Sequence, residues 1–265
     1  MSWSSRPFYP TLGDVARGGA TGTSTIRALR VVEAVAAAGD GVTAKVIARR
    51  VGVPLPSVYR ALGLLVQEGY LVRLHEVRGY GLGYRLGQLH RCLTDQVRPP
   101  APVLAVLHDV HTSLGAAAYL AVLRDTDVVV AHVDDCAAHP RPAPLRVGEP
   151  TAAHATAVGK ALLADLPLGR AAELIAHLGM PRLTERTLAD RAALTKELIR
   201  VRTAGAAVEL EEFQLGTAAI AAPVPGPHGP GALGVSLPSA DFAARREELE
   251  RGVREAAARA VDGWA

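Results

Sequence analysis

TAKVIARRVGVPLPSVYRALGLLVQEGYLVRLHEVRGYGLGYRLG, residues 43–87, carries the pattern that decides the fold of the first part of the chain. Thr43 suits a helix N-cap, and Val46, Ile47 and Val51 recur at the spacing of one face of a short helix. Gly52 supplies a turn. Pro54 and Pro56 fit the opening of the next helix, where the first amides have no partner inside the helix to lose. That helix places Val58, Leu62, Leu65 and Val66 on its apolar side and stops at Gly69. From Tyr70 to Gly87 apolar and polar residues alternate around Arg78-Gly79, which predicts a β-hairpin.

Upstream, a helical pattern begins at Ser24, with Ile26, Leu29, Val32 and Ala36 as its expected buried face, and ends at Gly39-Asp40-Gly41. The order helix, helix, turn, helix, hairpin is that of a winged helix-turn-helix. A bare helix pair is too small to enclose a core. The first helix and the hairpin complete one, and the second helix of the pair is left to project, sized for a major groove about 12 Å wide.

Downstream, residues 86–98 predict a linker helix ending before Pro99-Pro100. Beyond it, a helix is expected at 103–114 and strands at 118–124 and 127–133. A loop follows at 134–153, then helices at 155–165, 169–178 and 188–204, paired strands at 220–226 and 232–238, and a last helix at 241–260. The fold class is therefore α/β (α+β). A winged helix-turn-helix occupies 23–85, the linker helix 86–98, and a second domain 99–265. Residues 1–22 have no periodicity and read as a disordered arm.

Charge is divided the same way. The 265 residues carry 29 Lys and Arg against 26 Asp and Glu, a net +3 that by itself says little about nucleic acid. Residues 1–100 hold 13 basic and 6 acidic side chains, net +7, whereas the remainder holds 16 and 20, net −4. This is the distribution expected if only the first part meets phosphate. A hydrophobic content of 49% and a charged content of 21% exclude a wholly disordered chain. No apolar run is long enough for a membrane helix, and the N-terminus lacks the apolar core of a signal peptide. Cys92 and Cys136 show no metal or redox spacing, so a reducing cytoplasm, with the protein on the nucleoid, is the expected location.

Several segments carry a family resemblance. Arg27-Ala28-Leu29, the block VGVPLPSVYRALGLLVQEGYL and Arg85-Leu86-Gly87 stand in the first part; VGEPTAAHATAVGKALLADLP and LTERTLADRAALTKELIRVRTAGAAVELEEFQLGTAAIAAPV stand in the second. In this order, over roughly 23–262, the chain resembles the IclR family of bacterial transcriptional regulators. The resemblance implies a GAF-like effector-binding domain with a curved antiparallel sheet. It implies a homodimer or homotetramer on double-stranded operator DNA with inverted half-sites, controlled by a small-molecule effector. Neither a cofactor, a metal nor a membrane is implied.

Base contacts need side chains near the start of the recognition helix, which makes Ser57, Tyr59 and Arg60 candidates. Lys45, Arg49 and Arg50 on the preceding helix and Arg73 and Arg78 on the hairpin are candidates for phosphate. Each arginine could equally sit on a solvated face, and Tyr59 could pack on the first helix. Where the family usually has Pro-Lys-Ser-Thr, this chain has Pro54-Leu55-Pro56-Ser57, which shifts the hydrogen-bonding load to Ser57, Arg60 and the wing.

For the effector, the resemblance points to Thr151, Ala157, Val158, Glu209, Ala219, Gly234 and Ser236. The helix opened by His154-Ala155-Thr156-Ala157 would offer amides to an anion. Ala219 stands where family members often carry cysteine and Gly234 where they often carry serine, so a less polar ligand than a simple keto-acid is expected. Glu209 reads either as a pocket residue or as a surface carboxylate. His154 and Lys160 read either as ligand contacts or as structural caps. The competing classes are an enzyme using His154, Lys160 and Glu209, for which no nucleophile, phosphate or dinucleotide motif is present, and a winged helix used only for protein contacts. His108, His111, His132 and Cys136 lack the spacing of a metal site.

Overall fold

The computed structural model describes residues 24–226 and 229–264. The arm expected at 1–22 lies outside them, as do two residues of the turn between the last two strands. The chain forms two compact units, divided after Leu93.

In the first unit, α1 (Ser24–Ala38), α2 (Ala44–Val51) and α3 (Leu55–Gln67) are followed by the antiparallel strands β1 (Leu71–Leu74) and β2 (Gly79–Leu82). Val31, Ala34, Val35, Ile47, Val51, Val58, Leu62 and Leu71 form its core. The face expected for α1 is corrected: Val31, Ala34 and Val35 are buried, while Ile26 and Leu29 are 44% and 59% exposed. The helix is apolar on more than one side, so spacing alone could not choose the face that meets α2 and α3. Val46 on α2 is likewise exposed, and Ala44 takes the place expected for it beside Ile47 and Val51.

Gly52 ends α2 in the left-handed conformation at φ 69°, and its amide bonds the Ala48 carbonyl. The wing is stitched to the α1–α2 turn as well as to itself. Gly41 N donates to Tyr80 O at 3.1 Å and Tyr80 N to Val42 O at 2.9 Å. A Cβ at Gly79 would lie 2.2 Å from the Gly41 carbonyl oxygen, so only glycine permits this approach. The hairpin closes before Gly83 rather than running on to Gly87. Gly83 N bonds Tyr70 O, and the chain turns directly into α4 (Tyr84–Val97), which starts earlier than the 86 expected for the linker helix. The division between the units falls inside α4.

The second unit contains α5 (Ala101–Leu114), β3 (Ala117–Arg124), β4 (Asp127–Asp134), α6 (Ala157–Asp165), α7 (Leu168–Leu178) and α8 (Arg191–Ala204). These are followed by β5 (Ala207–Leu210), β6 (Thr217–Gly226), β7 (Gly229–Pro238) and α9 (Ser239–Trp264). The strands make one antiparallel sheet in the order β4-β3-β7-β6-β5. The edge strand β5 is new to the structure; at four residues it is too short to show a period and exists through its pairing with β6. One face of the sheet packs Leu120, Ile220, Leu233 and Val235 against Leu107 of α5 and Phe242, Leu249 and Val253 of α9. The other packs Tyr119, Ala121, Val130, Ala219 and Ala221 against α6. Every residue of α6 from Ala157 to Ala164 is buried, so this helix forms the centre of the second core. The α+β class with an antiparallel sheet is what the sequence led one to expect.

Gly79→Ala is expected to destabilise the first unit by more than about 2 kcal/mol, because backbone cannot yield to a new methyl. Gly87→Ala, in the open interior of α4, is expected to be neutral or slightly stabilising. Urea unfolding of the two variants side by side checks the contrast.

Candidate nucleic-acid interface and effector site

At the start of α3, Ser57 is half-buried, while Tyr59 at 53% exposure and Arg60 face solvent, so Tyr59 is not packed beneath α1. Lys45, Arg49 and Arg50 on α2, Arg73 on β1 and Arg78 at the tip of the wing are all exposed. Arg50 also serves the fold: its Nη1 donates to the Ala34 carbonyl at 3.4 Å. Ser57 and Arg60 line a groove of about 440 Å³ together with Arg27, Ala28, Leu64 and Tyr70. Arg27 is the basic residue of this surface that the reading of the sequence passed over; its position on α1 within reach of α3 is a tertiary fact.

In the second unit, strand register assembles most of the expected effector positions. Glu209 pairs with Ala219, and Ala219 pairs with Ser236, so the three lie in one row across β5, β6 and β7. In the next row Gly234 pairs with Ala221 on one side and Tyr119 on the other. Val158 at the start of α6 packs over Gly234: a Cβ there would lie 3.0 Å from Val158 Cγ1. Ala157 precedes Val158 on the same buried turn. Thr151 is set apart. Its amide donates to Val128 O, and Val128 pairs with Leu123, six residues along β3 from the Ala117 that pairs with Ser236. That is about 20 Å along a strand.

The polar groups here are buried and their chemistry is constrained. Glu209 is 3% exposed, so it is no surface carboxylate. Its Oε1 accepts from Glu212 N at 2.5 Å and Phe213 N at 3.0 Å, which closes the turn after β5. Burial nevertheless pushes its pKa up to about 7, with the Glu212 carboxylate adding to the effect. Burial first, and the Glu209 charge second, also raise the Tyr119 phenol. Tyr119 lies beside the candidate positions Glu209 and Ser236, and the reading of the sequence passed over it. It alternates in phase with Ala117 and Ala121 on β3, but nothing local said which face would meet α6. The Ser236 hydroxyl lies beside the phenol and forms no hydrogen bond of good geometry.

Lys160 is fully buried and committed to the fold. Its Nζ donates to Val208 O at 2.7 Å and Glu212 Oε1 at 2.6 Å, with Glu197 at 3.8 Å. His154 bonds the Pro181 carbonyl at 3.1 Å, and burial lowers its pKa, which keeps it neutral. Both therefore hold the structure together rather than presenting free groups. The turn that Lys160 supports contains Glu211 at φ 58°, pinned by Thr184 Oγ1 donating to its carbonyl at 2.6 Å. Among the described residues no three His, Cys, Asp or Glu side chains come together to hold a metal, and no helix is long and apolar enough to cross a membrane.

A winged helix-turn-helix with an exposed basic face, carried on a chain with a second unit that encloses a polar cluster, defines a DNA-binding transcriptional regulator with a sensor domain. The comparisons narrow this to a family. Residues 24–75 match the IclR helix-turn-helix domain, and residues 101–262 match the bacterial transcriptional regulator IclR C-terminal model. The chain is 34% identical over 250 residues to the HTH-type transcriptional regulator Rv1719 of Mycobacterium tuberculosis, covering 90% of each. Among solved structures it is similar to the Thermotoga maritima IclR, with a TM-score of 0.73 and 20% identity over 90% of this chain and 97% of that one. It is also similar to an IclR homolog complexed with 4-hydroxybenzoate from Microbacterium hydrocarbonoxydans, with a TM-score of 0.70 and 23% identity over 91% and 99%. The chain belongs to the IclR family of bacterial transcriptional regulators, and it is a regulator, not an enzyme.

Two outcomes are expected. Lys160→Ala should cost about 3–5 kcal/mol in urea unfolding, because Glu212 would be left buried without its cation. Glu209 binds its proton more tightly folded than unfolded, so its contribution to stability is full below its unfolded pKa, near 4.5, and is lost as pH rises toward about 7. Glu209→Gln should flatten the stability profile across that window relative to wild type.

Proposed function

We propose that this regulator is a repressor that binds an inverted-repeat operator as a homodimer or homotetramer and changes its DNA affinity when a small organic metabolite occupies the second unit. The observation that carries the DNA half is the exposed set Tyr59 and Arg60 on α3 beside the half-buried Ser57, flanked by Lys45, Arg49 and Arg50 and by Arg73 and Arg78 on the wing. Ser57, Tyr59 and Arg60 sit where a recognition helix meets base edges; the others are placed for phosphates. Pairing two such modules on two half-sites makes the weak affinity of each sufficient. The place of action is the nucleoid, in the cytoplasm.

The sensing half is supported by the cluster of Glu209, Ala219, Gly234, Ser236, Ala157 and Val158, with Thr151 further along the same domain. The Microbacterium hydrocarbonoxydans homolog holding 4-hydroxybenzoate supports a small organic ligand for this chain too. A ligand changes DNA affinity only if it binds the two arrangements of the protein unequally. Helix α4 is continuous across the boundary between the units, which makes it the natural carrier of that difference.

Footprinting on the DNA upstream of the protein's own gene, with and without candidate metabolites, tests the reading. A protected inverted repeat whose protection changes on adding ligand supports it, and transcription from the same promoter with and without the protein separates repressor from activator; no protected repeat overturns it. Arg60→Ala should weaken operator binding by about 1–3 kcal/mol and relax the preference at one base position. Lys45→Ala should weaken all sequences alike and reduce the salt slope by about 0.9.

A further inference from the structure

The recognition helix, both strands of the wing and α4 meet at one point. Helix α3 gives way at Gly69, whose φ of 76° reverses the chain, and Tyr70 N reaches back to the Leu65 carbonyl at 2.9 Å. Leu71, the first residue of β1, pairs with Leu82, the last of β2. Immediately beyond that pair, Gly83 N donates to Tyr70 O at 2.8 Å and Arg85 N to Gly69 O at 3.2 Å. The backbone at the start of α4 is therefore fastened to the residues that end α3.

Side chains close the same joint. A Cβ at Gly83 would lie 2.1 Å from the Gly69 carbonyl oxygen, so the two backbones touch. The Tyr84 ring lies against Gly69, where its Cε1 is 2.8 Å from the place a Cβ would take, yet Tyr84 is 70% exposed. The Arg85 guanidinium stands 5.6 Å from the centre of the Tyr70 ring, within cation–π range. Tyr70 in turn lines the groove that Ser57 and Arg60 of α3 also line. From Gly87 to Cys92 every residue of α4 is exposed, so the helix is held to the first unit at its first turn. An exposed ring laid on a glycine adds little to the core. Its effect is directional: it fixes the angle at which α4 leaves α3 and the wing.

Building on the DNA-binding reading above, we infer that Tyr84 and Arg85 are positioning residues for operator recognition: they lock α4 to α3 and the wing, so that α4 carries both DNA-facing elements as one piece. Two modules held rigidly in this way fit an inverted repeat only when its half-sites stand at one spacing. A loose joint lets each module find its half-site over a range of spacings, with the affinity for a half-site alone unchanged. The two residues thus set spacing selectivity and touch neither base nor phosphate.

Fluorescence anisotropy of the full-length protein on three duplexes makes the test: the inverted repeat protected in footprinting, the same repeat with two base pairs inserted between its half-sites, and one half-site alone. The insertion rotates one half-site by about 70° relative to the other. Wild type should lose at least about tenfold in affinity on the insertion. The double variant Tyr84→Ala with Arg85→Ala should lose about threefold or less, and should bind the single half-site within about twofold of wild type. Tyr84→Phe keeps the ring on Gly69 and should keep the wild-type spacing dependence. Arg85→Ala alone, which leaves the ring and both backbone bonds in place, should fall between the two and carries the test if the double variant is unfolded by circular dichroism. Spacing dependence that is absent from wild type, or unchanged in the folded variants, overturns the inference. So does an equal loss on all three duplexes, which would make Arg85 a phosphate contact. Each of these leaves the DNA-binding reading standing, whereas a footprint without a protected repeat removes that reading and the joint's role with it.

Discussion

The second unit is organised around one buried ammonium group. Lys160 sits on a helix with no exposed face and reaches Val208 on β5, Glu212 in the following turn and Glu197 on α8. A charge at 0% exposure is tolerable only where its hydrogen bonds are filled, so these elements must be where they are if Lys160 is to be there. The turn after β5 is the most constrained consequence. It carries a left-handed Glu211, and it is held from one side by Lys160 and from others by Glu209, Thr184 and Thr187. The polar cluster that faces α6 begins at the first residue of this arrangement, Glu209. Structure and candidate sensing site thus share the same network, and a ligand that engages Glu209 acts on a turn already tied to α6 and α8.

Small residues do the complementary work on the sheet. Gly234 and Ala221 lie side by side in register, and Val158 descends onto them until a single methyl added at Gly234 would crowd it. Gly159 is under the same kind of constraint, because a Cβ there would lie 2.4 Å from the Ala153 carbonyl oxygen. The buried helix therefore approaches both the sheet and the loop before it at backbone distance. This explains why a stretch rich in alanine and glycine, which has little to offer a hydrophobic core by volume, stands at the centre of one.

Much of this was legible along the chain. The turn glycines, the prolines opening α3, the alternation in the wing and the split of +7 against −4 identified a winged helix followed by a different kind of domain. The order of later elements was legible as well, apart from β5. The errors have a common origin. In α1, apolar residues occupy more than one side, and Ile26 and Leu29 are outside because α2 and α3 dock on Val31, Ala34 and Val35. The hairpin read on through Tyr84 and Arg85 because strand and helix can share a short apolar pattern; Gly83 bonding to Tyr70 ends it in space.

By itself, the sequence determined the local conformations and their order, and so the kind of protein this is: periodicity, caps and turn residues act over a few neighbours and need no partner elsewhere. Only the tertiary structure decided which faces are buried, that Lys160 is a strut and Glu209 an enclosed acid, and that Tyr119 joins Ser236 over Ala219. Those properties depend on how strands pair and how α6 lies on them. Burial, the loss of water around a charge and the meeting of side chains far apart in the chain are set by packing, which no local pattern encodes.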